Sequence, residues 1–231
     1  MPKYKHRPTD HNTRAADIVV PIILDQIKVD SLIDVGCGTG TWLTVFEKNG
    51  VNDYLGIDGD YVDRTKLYID PDRFQAYDLR EEFDLKRKFD LAICLEVGEH
   101  LPDESSKKLV KSLVHHAPVI IFSAAIPGQG GQDHINEQWP EYWQKLFLEH
   151  DYHYYDIIRP KIWHNRDVDI WYRQNMFVVA KKGQIKAEPE KELINLVHPE
   201  QWLRKTVYKK KFSNTIKKWK RSLRKLVNGK R

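Results

Sequence analysis

Seven consecutive residues, Asp34-Val35-Gly36-Cys37-Gly38-Thr39-Gly40, narrow the possible folds of this chain more than any other feature. Three glycines in five positions join an apolar run, 31–35, to a helix-like segment, 41–48, that closes at Asn49-Gly50. Glycine reaches backbone conformations that other residues avoid and leaves no Cβ between the chain and a ligand. A strand, a glycine turn and a helix in that order are the way doubly wound α/β sheets build a ligand site beyond their strand ends.

The rest of the chain continues the same alternation. Asn12 or Thr13 can cap a helix that runs to Gln26. Further strands are predicted at 54–57, 73–77 and 89–95, the last continuously apolar after Asp90, as a strand buried on both faces should be. A helix over 105–116 leads to a strand at 119–123. Segments 152–158 and 170–180 read as two more strands with no helix between them, which predicts an antiparallel hairpin at one edge. The expected fold class is α/β: a doubly wound, mostly parallel seven-stranded sheet with an antiparallel edge hairpin and a basic C-terminal helix.

Charge divides the chain differently. The last 28 positions, 204–231, carry 13 Lys/Arg and no acid, which leaves 25 basic against 33 acidic residues in 1–203. The expected division is therefore a sheet domain over 1–180, a polar linker over 181–203 and a basic amphipathic tail over 204–231. In that tail Phe212, Ile216, Trp219, Leu223 and Leu226 recur at helical spacing among lysines and arginines. Such a helix suits an anionic membrane surface, less well a nucleic acid, or it packs on an acidic body. No run is long enough to span a bilayer; 18–24 is short and holds Pro21. The basic start lacks a signal peptide's apolar core, and the two cysteines form neither a disulfide pattern nor a metal pattern. A cytoplasmic protein, peripheral at the membrane through its tail, is expected.

The turn itself is selective. Its spacing is G-x-G-x-G rather than the G-x-G-x-x-G of dinucleotide folds, and Asp34 stands two residues before the first glycine. A carboxylate there opposes an anionic ligand and tolerates one with ammonium and sulfonium centres. The segment resembles the first motif of class I S-adenosylmethionine (SAM)-dependent methyltransferases, and the resemblance continues in order over residues 30–180. It implies SAM as cofactor and a methyltransferase domain over 1–180. It assigns cofactor contacts to Asp34, Gly36, Gly38 and Gly40. Asp58, ending the second strand, matches the acid that takes both ribose hydroxyls, and Asp78-Leu79 matches the pair facing adenine. The segment from Asp90 through Glu96 to Pro102 matches the part that borders the reactive methyl, which adds Glu96 to the cofactor contacts.

Past the fourth strand the chain reads Glu96-Val97-Gly98-Glu99-His100, and His134 follows the fifth. Neighbouring parallel strands would bring these loops together, and two carboxylates with two imidazoles can bind a divalent ion such as Mg or Mn. The arrangement resembles small-RNA 2′-O-methyltransferases and the O-methyltransferases of ubiquinone synthesis. That likeness makes Glu96, Glu99, His100 and His134 the metal ligands, and His134 and Glu96 the catalytic residues. His134 acting as a metal-free base, or merely orienting substrate, stays open beside it.

Trp139, Tyr142, Trp143, Trp163, Trp171 and Tyr172 could line a pocket for a sugar or aromatic acceptor, or pack in the core. Residues 4–14 and the glycine-rich 128–132 could close over it. The expected activity is SAM-dependent O-methylation of a hydroxyl on a glycan or other small acceptor. The alternatives are RNA 2′-O-methylation and a SAM-fold binding module without turnover.

Overall fold

The computed structural model describes residues 12–208, in two compact units divided between Asn195 and Leu196. The first unit holds one seven-stranded sheet. Its strands are β1 (Ser31–Val35), β2 (Asp53–Asp58), β3 (Phe74–Ala76), β4 (Leu91–Leu95), β5 (Val119–Ser123), β6 (Tyr152–Tyr155) and β7 (Phe177–Lys181). They lie in the order β3-β2-β1-β4-β5-β7-β6. The first five are parallel, and β7 runs antiparallel to both β5 and β6. The expected α/β class and edge hairpin are therefore present, with β7 wedged between β5 and the edge strand.

Successive residues of each central strand face opposite sides of the sheet, and both sides are apolar. Leu32, Leu91, Ile121 and Val178 join one core, under α1 (Arg14–Gln26) and α2 (Thr41–Lys48). Ile33, Ala92, Ile120 and Val179 join the other, under α3 (Asp103–His116) and α4 (Pro140–Leu148). The N-terminal end of this frame is pinned by Asp90, whose Oδ2 accepts from the amides of Asp30 and Ser31 and from the Ser31 hydroxyl, at 2.8 to 3.0 Å. At the start of α1, Asn12 Oδ1 accepts from the Arg14 amide at 3.0 Å, while Thr13 makes no side-chain cap.

Three segments differ from the sequence reading. Two short helices, α5 (Arg159–Ile162) and α6 (Ile170–Asn175), interrupt the 152–180 region. Ile170-Trp171-Tyr172 has strand-forming side chains, but local packing overrides that tendency. Arg14 pairs with Asp169 before the helix, at 2.9 Å, and Arg159 NH1 donates to the Gln174 carbonyl inside it, at 2.9 Å. Helix α4 had no counterpart in the expectations, although Pro140 at its first turn and the Glu141–Lys145 pair at 2.7 Å are ordinary helix signals. The polar stretch after β7 runs beside the outer strand rather than away from it. Ile185 is buried, and the Glu190 amide donates to the Tyr154 carbonyl at 2.8 Å, occupying part of an open sheet edge.

The second unit is described over 196–208. It contains α7 (Pro199–Leu203), capped by His198 Nδ1 accepting from the Glu200 amide at 3.1 Å, followed by a wider turn over Arg204–Tyr208. The apolar and basic positions of the tail beyond 208, and the possible N-terminal cover over 4–11, lie outside the described residues. Among the described residues no helix is long and apolar enough to cross a membrane.

Candidate active site

The carboxyl ends of β1, β2 and β4 open into a cavity of about 1350 Å³, lined by the glycine turn on one side and by His134, Trp171 and Tyr172 on the other. The turn is locked by sterics and hydrogen bonds together. Gly36 and Cys37 both donate their amides to the Ile57 carbonyl, at 2.8 and 3.1 Å. Gly36 has φ +83°, and a Cβ there would lie 2.3 Å from a methyl of Val97. No other residue fits that position.

Asp58, buried at the end of β2, organises the turn from below. Its Oδ2 accepts from the Gly38 amide at 2.7 Å, and its Oδ1 from the Gly59 amide and the Tyr61 hydroxyl, both at 2.6 Å. Asp34 is also buried, and burial first and the Asp58 charge second hold its carboxyl well above the usual range. Two carboxylates facing one cavity favour a cationic ligand. Leu79 is buried in the wall, whereas Asp78 stands at the rim with both oxygens taken by the Arg80 guanidinium. That pairing lowers the Asp78 pKa.

Just past β4, Glu96 adopts φ +54°, a left-handed conformation costly for any residue other than glycine. A 3-10 turn, Gly98–His100, follows at once. The Glu99 carbonyl accepts the amides of both Ile135 and Asn136, at 2.9 and 3.0 Å, which stitches the loop carrying His134 to this turn. His134 Nδ1 meets Glu137 Oε1 at 3.0 Å, and the same Glu137 carboxylate accepts the Gly128 and Gly130 amides at 2.7 and 2.5 Å.

The four residues predicted to hold a metal separate here into three and one. Ligand atoms of Glu99, His100 and His134 all lie within 4.8 Å of one another. Glu99 is fully buried, and neither carboxylate oxygen has a hydrogen-bond partner of normal geometry. Burial and the Glu96 charge push its carboxyl well up, and burial with the nearby His134 pushes His100 down to about 4. A buried carboxyl beside two imidazoles has the chemistry of a cation site, and a divalent ion would favour its ionised form.

Glu96 stands outside that group. Asn175 Nδ2 donates to its two oxygens at 3.1 and 3.4 Å, and Gln129 Nε2 donates to one of them at 2.8 Å. Gln174 Nε2 in turn reaches Gln129 Oε1 and Asn175 Oδ1, at 3.3 and 3.1 Å. Sequence reasoning found no role for Gln174 and Asn175, because only the fold carries them from β7's approach to the end of β4. Of the six aromatics singled out, Trp171 and Tyr172 line the cavity, joined by Trp42, whose ring meets Tyr172 edge-on at 5.2 Å. Trp143 is instead packed in the core against Phe122, and Tyr142 donates its hydroxyl to Asp103 at 2.7 Å.

A seven-stranded sheet of this order, with a glycine turn after β1 and an acid ending β2, defines a SAM-dependent methyltransferase. Residues 6–158 match the family described as a methyltransferase domain, and the chain belongs to it. No curated protein matches the sequence. Among solved structures, a SAM-dependent methyltransferase from Clostridium acetobutylicum ATCC 824 has a TM-score of 0.55 at 13% identity, over 76% of this chain and 94% of that one. The sugar N-methyltransferase KedS8 from Streptoalloteichus sp ATCC 53650 has 0.54 at 17%, over 73% and 87%. DesVI from Streptomyces venezuelae has 0.44 at 24%, over 55% of this chain, which spans only 62% of the length of DesVI.

Proposed function

We propose that this methyltransferase transfers the SAM methyl to a hydroxyl of a sugar, glycan or other small acceptor, assisted by a divalent cation at Glu99, His100 and His134. The observation that carries this reading is the buried Glu99 carboxylate, without a hydrogen bond of normal geometry and with a ligand atom within 4.8 Å of both imidazoles, at the carboxyl ends of the strands. When bound, SAM supplies a methyl group on a sulfonium, and the cation favours ionisation of a hydroxyl beside it.

The chain's own residues do the rest. Gly36, Gly38 and Gly40 cradle the cofactor's amino-acid end, with Asp34 facing its ammonium. Asp58 takes the ribose hydroxyls, and Asp78 and Leu79 border adenine. Glu96 takes the acceptor's hydroxyl proton, which leaves the oxygen's electron pair for the methyl carbon while the carbon–sulfur pair stays on sulfur. Trp42, Trp171 and Tyr172 offer apolar faces on which a sugar ring can rest. The described cavity is lined by eight carboxylates against one arginine, Arg80, itself paired with Asp78, a poor setting for a polyanionic acceptor. The sheet domain carries this chemistry, and the basic tail over 204–231 holds the enzyme at an anionic membrane surface.

Methyl-labelled SAM, cell extract and the full chain would test the reading. Label should enter a saccharide fraction, fall with chelator and return with added Mn. Full transfer in chelator would remove the cation and leave proton removal to Glu96 or to His134, oriented by Glu137.

A further inference from the structure

Glu96 and Glu99 lie three residues apart, Glu96 half-buried in the cavity wall and Glu99 fully buried, and they have different surroundings. The side-chain amides are spent on Glu96, Asn175 on both oxygens and Gln129 on one, while the Glu96 amide itself donates to the Ser123 hydroxyl oxygen at 3.1 Å. Glu99 has none. The donors to Glu96 are themselves fixed. Gln129 Oε1 accepts from Asn175 at 2.9 Å and from Gln174 at 3.3 Å. The Gln174 carbonyl is held by Arg159, which is clasped by Asp156 at 2.9 and 2.6 Å and lies 3.9 Å over the Phe177 ring. A carboxylate with its lone pairs committed to fixed side-chain amides is a poor candidate for a metal shell, while one that no side-chain amide holds is a better one.

We infer that Asn175 and Gln129 are positioning residues that hold Glu96 out of the cation's coordination shell and aim it at the acceptor. This rests on the cation reading above and refines it. The cation then has three protein ligands and open positions for the acceptor's oxygens, instead of four ligands and fewer openings. Connection to the α5–α6 segment makes the edge of the sheet, rather than the motif itself, the part that decides how many carboxylates the ion receives.

Manganese titrated into the full chain and followed by electron paramagnetic resonance tests this without an acceptor. Glu99→Gln should weaken Mn binding by about tenfold or more, whereas Glu96→Gln should change it by about twofold at most. Asn175→Ala should release Glu96 and tighten Mn binding several-fold, and that gain should vanish in the double variant with Glu96→Gln. If Asn175→Ala lowers the melting temperature sharply, Gln129→Ala, on the loop after β5, gives the same reading. Equal losses for Glu96→Gln and Glu99→Gln would make Glu96 a ligand and overturn the inference. So would unchanged or weaker Mn binding in a stable Asn175→Ala or Gln129→Ala protein, since a merely structural amide cannot tighten an ion site. Absence of Mn binding by the unaltered chain would be a different failure, removing the cation reading and this inference with it.

Discussion

Asp58 receives two amides and a hydroxyl in a buried position, so replacing it does two separate things. Asp58→Ala removes the acceptor for the cofactor's ribose, and it also strands the Gly38 and Gly59 amides. Each stranded buried donor costs roughly 1–3 kcal/mol. Titration calorimetry should show SAM binding gone in this variant, with a melting temperature several degrees lower. Unchanged binding would remove Asp58 from the cofactor site. Asp34 makes a prediction about pH. Its raised carboxyl protonates at a higher pH than an ordinary aspartate, and a cationic ligand prefers it ionised. SAM affinity should therefore weaken as the pH is lowered from neutral, with proton release on binding, and Asp34→Asn should flatten that dependence while weakening binding throughout. A slope that survives in Asp34→Asn would assign it to another group.

At the scale of elements, α3 ends on a histidine whose protonation state is set by packing. His116 is fully buried; its Nδ1 donates to the Ser112 carbonyl at 2.7 Å and its Nε2 accepts the Leu85 amide at 3.0 Å. That tautomer is neutral, and burial lowers the pKa. The unfolded chain takes up this proton where the folded one refuses it, so stability falls as the pH drops through the ordinary histidine value of about 6.5 and levels off below the folded pKa. His100 shifts the same way, so the share of His116 is the part of the acid slope that His116→Gln removes in thermal melts from neutral to mildly acid pH. The central strands were legible because burial on both faces leaves no polar positions and hence no ambiguity of period. Ile170–Asn175 was not, since its first three side chains favour a strand and the contacts beside the helix come from Arg14, at the other end of the sheet unit's chain, and from Arg159 in the preceding short helix. The same distance hid Asn175. Nothing about an asparagine before a strand says that it will meet Glu96, whereas Glu99 and His100 announced themselves by their place after an apolar strand.

The whole molecule joins an acidic sheet unit to a chain end of 13 basic and no acidic residues. If that end serves only to localise the enzyme, deleting 204–231 should abolish salt-sensitive binding to vesicles containing anionic lipid and leave SAM affinity within about twofold. Loss of SAM binding or a large fall in melting temperature would instead make the tail part of the fold. Loss of vesicle binding by the intact chain when RNA competes would favour a nucleic-acid partner.

One strand, β4, is flanked by Asp90 at the foot of the sheet and by Glu96 at its head, six residues apart. What anchors the frame and what touches the reactants are thus tied to opposite ends of one rigid rod. Selection can act on the two ends almost independently: a new preference for one hydroxyl over another can be acquired by exchanging residues around 129 and 159–175 while the foot stays as it is. Diversification of this enzyme among its kin should accordingly be read along the strand axis, with tolerance to change rising from the foot toward the rim of the cavity.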